Sequence, residues 1–271
     1  ALQQEIWQAD PVEIVPADLM IITQRHGGLV LGAFDENRNL VGCLYGFAGT
    51  TASDNPLAKK HKWQHCSHIM GVHNSWRGKG IGHQLKIAQR NWALKEGYEI
   101  VTWTFNPLEG ANATLNIAKL GARCACYLRN IYGELPDGLN SGLLSDRFEV
   151  VWELRSERVN VRLNNGRETK GIRAAYNTDI SVLNAGRFNY DGWLEPTNPI
   201  EVTEQKVLIE FPVNFQELKS HSLDLAISWQ LNLRQACEWA FRSGYVVCDV
   251  IRITDNSNSV RAYYVLESSL A

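Results

Sequence analysis

Ile69-Met70-Gly71-Val72-His73-Asn74-Ser75-Trp76-Arg77-Gly78-Lys79-Gly80-Ile81-Gly82 is the stretch on which the fold of this chain turns. An apolar run that reads as a strand enters a short glycine loop, and a helical pattern over Ile81–Glu96 follows, closed by Gly97 as a C′ glycine. Strand, glycine loop, helix start is a geometry that binds phosphate. Glycines let the backbone approach a ligand with its N–H groups turned outward, and the helix N-terminus adds roughly half a positive charge. Arg77 and Lys79 place cations beside those amides. Two familiar phosphate loops are excluded by spacing. A P-loop needs glycine five residues before its Gly-Lys pair and Ser or Thr after it, whereas this chain has His73 and Gly80 there. The dinucleotide pattern G-x-G-x-x-G fails at His83.

What remains, Arg-x-x-Gly-x-Gly after a strand, resembles the pyrophosphate loop of the GNAT superfamily of acyl-CoA N-acyltransferases. The surrounding chain agrees with it. Tyr98–Phe105 reads as a buried strand rich in β-branched and aromatic residues. Asn112–Ala122 is similar to the later helix of that superfamily, whose common ending is Tyr-x-Lys-Leu-Gly-Phe; Lys119-Leu120-Gly121 fits, but Ile117 stands where many members carry the tyrosine that protonates the leaving thiolate. Leu29–Phe34 and Leu40–Phe47 flank Asp35-Glu36-Asn37-Arg38-Asn39, a hairpin turn. Arg123–Tyr132 and Arg147–Leu154 read as the two last strands. The combination of His65–Val72, Thr104-Phe105-Asn106-Pro107-Leu108 and Ser145-Asp146-Arg147-Phe148 resembles one subgroup of GNAT acyltransferases with a C-terminal extension. The resemblance covers residues 2–154, a little over half the chain, and places the start of the sequence inside the superfamily's first helix at Leu2–Trp7, with its first strand absent.

The resemblance implies an α/β fold: a mixed sheet whose central strands splay apart, helices on both faces, and coenzyme A in the resulting V. It implies that backbone amides from Gly78, Lys79, Gly80, Ile81 and Gly82 hold the pyrophosphate, with Arg77 beside them, and that the edge of Met70-Gly71-Val72 pairs with pantetheine amides. Asn112 and Lys119 are candidates for contacts further along the cofactor. Acetyl-CoA or another acyl-CoA is the implied co-substrate, with no metal.

Composition bounds the alternatives. At 271 residues the chain is long for one α/β domain and comfortable for two. With 27 basic and 29 acidic side chains the net charge is −2, which makes no case for nucleic acid or a membrane surface. No run of apolar residues is long enough to span a bilayer, and the N-terminus lacks the pattern of a signal peptide. Six scattered cysteines without a C-x-x-C suit free thiols in a reducing compartment, so the expected location is the cytoplasm.

The texture changes after Leu154, and a boundary near 155 divides an acyl-CoA-binding domain, residues 1–154, from a smaller accessory α/β domain, residues 155–271. Asn164-Asn165-Gly166-Arg167 and Asn184–Pro199 are rich in turn residues; Val207–Pro212, Tyr245–Ile253 and Arg261–Glu267 read as strands, and Leu223–Arg242 as one long amphipathic helix. An internal echo links the halves: Trp92-Ala93-Leu94-Lys95-Glu96-Gly97-Tyr98 aligns with Trp239-Ala240-Phe241-Arg242-Ser243-Gly244-Tyr245. Either the second half is a degenerate GNAT-like repeat, or any helix-to-strand turn selects such residues. Pro212–Asp224 contains no glycine, so a second cofactor loop is not expected.

His61, His65, His68 and His73 with Cys66 do not have zinc spacing, because they straddle a loop and a strand. Amine attack on a thioester needs a base near neutrality, and His68, four residues before Val72 on the same strand face, is the candidate, a packed core histidine being the alternative. Tyr127 and Tyr132 are candidate general acids in place of Ile117, or packed aromatics. Arg147 is a candidate grip for a substrate carboxylate, or a member of an ion pair. The expected activity is transfer of an acetyl or similar acyl group, succinyl included, to a primary amine on a small or amino-acid-like acceptor. Direct attack without an acyl-enzyme is expected. The alternatives are an acyl-CoA-binding regulatory module without turnover, suggested by Ile117, and a partner-binding scaffold. The sequence leaves the acyl group, the amine and the oligomeric state open.

Overall fold

A computed structural model describes residues 2–8, 10, 12, 14–51, 54–135, 141–164, 180–254 and 258–268. The chain divides into two compact units that interleave along the sequence. The first takes residues 1–104, 135–141 and 151–156, and the second takes 105–134, 142–150 and 157–271. The boundary expected near 155 lies inside this interleaving; residues 105–134 and 142–150 group with the C-terminal part.

In the first unit the helices α1 (Leu2–Trp7) and α2 (Ala17–Arg25) precede the hairpin of β1 (Leu29–Phe34) and β2 (Leu40–Thr50). Asp35 sets the turn: its Oδ1 accepts from the amides of Asn37 and Asn39 at 2.9 and 2.7 Å. β2 pairs antiparallel with β3 (Trp63–Val72), and β3 pairs parallel with β4 (Ile100–Phe105) through the connecting helix α3 (Ile81–Lys95). β4 is shorter than the expected strand from Tyr98. Gly97 turns the chain with φ +85°, the Tyr98 amide still bonds to Ala93 O, and the Tyr98 ring packs on Trp92.

α3 buries Leu85, Lys86, Gln89 and Ala93, positions on one helical face. A core cluster of Leu29, Leu44 and Leu85, with Met70, Val72, Ile81 and Trp92 around it, ties that face to β1, β2 and β3. Residues 151–153, the end of β6 (Arg147–Glu153), add Val151 to Ile100 and Ala58, and Trp152 edge-on to Trp103.

In the second unit the strand order is β6, β5 (Arg123–Leu128), β10 (Tyr245–Thr254), β11 (Val260–Ser268), β9 (Lys206–Phe211). The expected helix after Asn106 starts at Gly110 as α4 (Gly110–Ala113) and widens into a π-helical segment, Thr114–Lys119. α5 (Glu157–Asn164) lies against that π-helical segment, where Arg162 donates to Ala118 O at 3.3 Å, and α6 (Phe215–His221) leads into the long α7 (Leu223–Arg242), whose bounds match the sequence reading. α7 buries Ala226, Trp229, Gln230, Leu233, Ala236, Cys237 and Ala240, a three-four spacing that makes one buried stripe, apolar except at Gln230. The turn-rich stretch carries the two-stranded β7 (Gly186–Phe188) and β8 (Leu194–Pro196); residues 165–167 of the other such stretch lie outside the described residues.

The sequence echo survives in three dimensions. The rings of Trp92 and Tyr98 meet in a tilted contact at 5.8 Å with 31° between planes, and those of Trp239 and Tyr245 at 5.9 Å with 30°. The strands around each pair differ. β3 and β4 bond directly, whereas β11 lies between β9 and β10, antiparallel to both.

Candidate functional site

The strand that leads into the glycine loop is a neighbour of β4 over a short distance. β3 and β4 are in register at His65↔Val101 and Cys66↔Thr102. β2 follows β3 on its other edge as far as Gly42↔Val72. Past Cys66 the two parallel strands therefore part, and residues 67–72 of β3 line a fork.

The loop at the mouth of the fork is built by local bonds. His73 N donates to Val41 O, and His73 Nδ1 accepts from Ser75 N at 3.3 Å, which caps the short 3₁₀ turn Asn74–Trp76. Gly78 and Gly80 then adopt φ of +78° and +84°, left-handed conformations that a side chain strains. A Cβ at either would meet nothing within 4 Å, so the space above the loop is open. Gly80 caps α3 without a side chain, and the first helical bond runs from Gln84 N to Gly80 O. The Ile81 and Gly82 amides precede that bond and have no acceptor four residues back within the helix. Two left-handed glycines, a helix N-terminus and open space fit a phosphate group. The two cations are held. Arg77 Nε donates to Val72 O at 3.3 Å, and Lys79 Nζ lies 4.4 Å from the centre of the Trp76 ring.

Met70 and Val72 point into the core under α3, so only their backbone faces the fork. At Gly71 a Cβ would sit 2.9 Å from Ile6 and Trp7 of α1, which is why glycine stands there. α1 thus covers the face of β3 opposite α3.

His68 departs from the expected alternation. The β2–β3 register jumps from Tyr45↔Ile69 to Gly46↔Ser67, leaving His68 as the extra residue of a β-bulge. Ser67 faces α3, whereas the His68 ring lies 6.0 Å from Tyr45 and 5.9 Å from Phe47, on the opposite face. His68 and Val72 are therefore on different faces, contrary to simple two-residue counting. His68 is exposed at its edge, and desolvation against the two rings lowers its pKa.

His65, by contrast, is fully buried against Trp92 and Tyr98, and neither ring nitrogen has a partner. Sequence reasoning passed over a second buried group, Lys86 of α3. Its Nζ donates to Ser67 Oγ at 2.8 Å and to Gln89 Oε1 at 3.1 Å.

The other candidates belong to the second unit. Tyr127 donates to Asp146 Oδ2 at 2.8 Å, and burial, then Asp146, push its pKa well up. Asp146 also accepts from Asn130 N and from both arms of Arg234, at 2.8 and 2.9 Å. Tyr132 is 47% exposed, with its ring 5.6 Å from the Arg147 guanidinium. Arg147 is buried and donates to Asp146 O at 2.8 Å. Asn112 and Lys119 are exposed on α4 and its π-helical continuation, and Ile117 is buried there. Among the described residues no group of three or more His, Cys, Asp or Glu could hold a metal ion, and no helix is long and apolar enough to cross a membrane.

Residues 2–120 match the model of the acetyltransferase (GNAT) family. No curated protein matches the chain. Among solved structures, it is similar to a NatC complex bound to Gag peptide and CoA, at 14% identity over 56% of this chain and 87% of that one, TM-score 0.42. It is also similar to a GNAT family acetyltransferase from Elizabethkingia anophelis with acetyl-CoA bound, at 16% identity over 54% and 94%, TM-score 0.37. An N-acetyltransferase from Staphylococcus aureus Mu50 aligns at 23% identity over 52% and 79%, TM-score 0.39.

Proposed function

From the match of residues 2–120 to the GNAT acetyltransferase family model, we propose that this protein moves an acyl group, acetyl or a relative such as succinyl, from acyl-CoA to a primary amine by direct attack. One observation carries the reading: left-handed Gly78 and Gly80 present the N-terminus of α3 at the mouth of a fork in the sheet. The loop amides with Arg77 and Lys79 hold the pyrophosphate, and the open edge of Met70–Val72 bonds to pantetheine amides as another strand would. Bound acyl-CoA supplies the activated thioester.

His68 takes the proton of the incoming ammonium, the role for which a base near neutrality is suited. Its place on the face away from α3 has the amine approach from that side. Backbone amides of β3 at the bulge stabilise the charge that develops on the thioester oxygen. For general acid, Tyr132 is favoured over Tyr127, whose hydroxyl is already bound to Asp146. Asn112 and Lys119 remain proposed cofactor contacts, and Arg147 a proposed grip for an acceptor carboxylate. The accessory role of residues 155–271 and a cytoplasmic setting are likewise proposals.

Gly80→Asp tests the cofactor assignment, because it adds a negative charge in open space at the loop. Calorimetry is expected to show coenzyme A affinity reduced about a hundredfold (about 2.7 kcal/mol) in a folded variant. Unchanged affinity refutes the assignment. Buried Ile117 favours a second reading, an acyl-CoA-binding module without turnover. Free thiol release from acetyl-CoA or succinyl-CoA against an amine panel separates the two.

A further inference from the structure

At the floor of the fork lies a group of buried nitrogen donors that neither the phosphate loop nor His68 uses. Lys86 is 1% exposed. Its Nζ stands 3.5 Å from the centre of the Trp103 ring and bonds to Ser67 Oγ and Gln89 Oε1. Ser67 and Trp103 immediately follow Cys66 and Thr102, the last residues in register between β3 and β4. The amine therefore sits where the two strands part.

Its hydrogen-bond partners are a hydroxyl and an amide oxygen, not a carboxylate. Two further donors crowd against it. Gln89 Nε2 shares a carbon with the oxygen that Lys86 holds, Trp103 Nε1 belongs to the ring beneath the amine, and both are buried without a partner. The site has donors in excess of acceptors. A ring face returns less than the cost of burying a bare ammonium, so burial drives Lys86 well below the usual lysine range. An apolar side chain would fill the same space at lower cost. What the three nitrogens lack is an anion with two acceptor oxygens.

We propose that Lys86, Gln89 and Trp103 recognise a carboxylate at the far end of the acyl chain, so that the thioester carried here is that of a short dicarboxylic acid such as succinate. This rests on the reading of the loop and the β3 edge as a cradle for acyl-CoA. On that reading the arm runs inward along residues 67–72, an open edge about 17 Å long at ~3.4 Å per residue. Its acyl end then arrives at Ser67 and Trp103. The carboxylate accepts from Gln89 and Trp103, and the Lys86 amine takes one proton from solvent to become its counter-ion.

The test uses the full chain, with coenzyme A, succinyl-CoA and butyryl-CoA as probes in calorimetry at pH 8 in phosphate and in Tris. The two thioesters have four-carbon acyl chains and differ in the carboxylate. Succinyl-CoA is expected to bind at least about tenfold tighter than butyryl-CoA (about 1.4 kcal/mol), with proton uptake revealed by the buffer dependence of the heat. Lys86→Met should bring the two thioesters within about twofold, abolish the uptake and leave coenzyme A itself unchanged. Gln89→Leu should weaken the preference severalfold, and serves if Lys86→Met does not fold. Equal binding of both thioesters by the wild type, or a preference that survives Lys86→Met, overturns the proposal while coenzyme A binding still stands. Loss of binding for all three probes refutes the cradle, and this proposal with it.

Discussion

As pH falls below neutrality, His65 should take stability from the first unit. Its ring is fully buried, 4.9 Å from the Trp92 ring and 5.5 Å from Tyr98, with both nitrogens unpartnered and the Lys86 amine near. Burial, and then Lys86, lower its pKa from 6.5 to about 4. For a base whose folded pKa is depressed, the unfolded chain binds a proton in this window and the folded chain does not. Stability is thus complete above 6.5 and falls as pH drops toward 4. At ~1.4 kcal/mol per pH unit the whole window is worth about 3 kcal/mol. Urea unfolding of the wild type and of His65→Leu at a series of pH values reads it. Carboxylates titrate in both proteins, so the difference between the curves isolates His65. Between pH 7 and pH 5 the wild type should lose about 2 kcal/mol more than the variant. A cavity in His65→Leu shifts its curve uniformly and leaves that difference intact. Parallel pH curves would refute the reasoning.

Other outcomes follow from the same structure. Asp146→Ala should cost about 3–5 kcal/mol in chemical unfolding, because Arg234, 16% exposed, keeps its charge and loses its carboxylate; a loss under about 1 kcal/mol would show that the network contributes little. His68→Ala should lower kcat/KM about a hundredfold with coenzyme A affinity nearly unchanged. That loss should shrink at high pH, where the amine is already free, and an equal loss at every pH would return His68 to a packing role. Coenzyme A should bind once per chain, since β9 leads into α6 through Pro212, Val213 and Asn214 without a glycine loop; a titration ratio near two would contradict this.

Local signals decided much of this protein in advance. The Asp35 turn, the left-handed loop glycines, the start of α3 and the whole of α7 follow from residues close in sequence, because backbone dihedrals and helical spacing are local properties. Even the Trp-Gly-Tyr echo became the same ring pair twice. Faces and partners were decided elsewhere. Period-two counting put His68 beside Val72, but a bulge against Tyr45 and Gly46 turned it over, and a bulge depends on the register of the partner strand. Lys86 lies between Leu85 and Ile87, where a lysine on an amphipathic helix commonly faces water. Its burial depends on Ser67 and Trp103, which come from two strands far from it in sequence. Tyr127 looked available until Asp146 and Arg234 met it. Single segments set which elements form. Which side chains are buried, and what they touch, emerged only when distant segments paired, since desolvation and hydrogen bonding belong to the assembled packing and not to any stretch of chain.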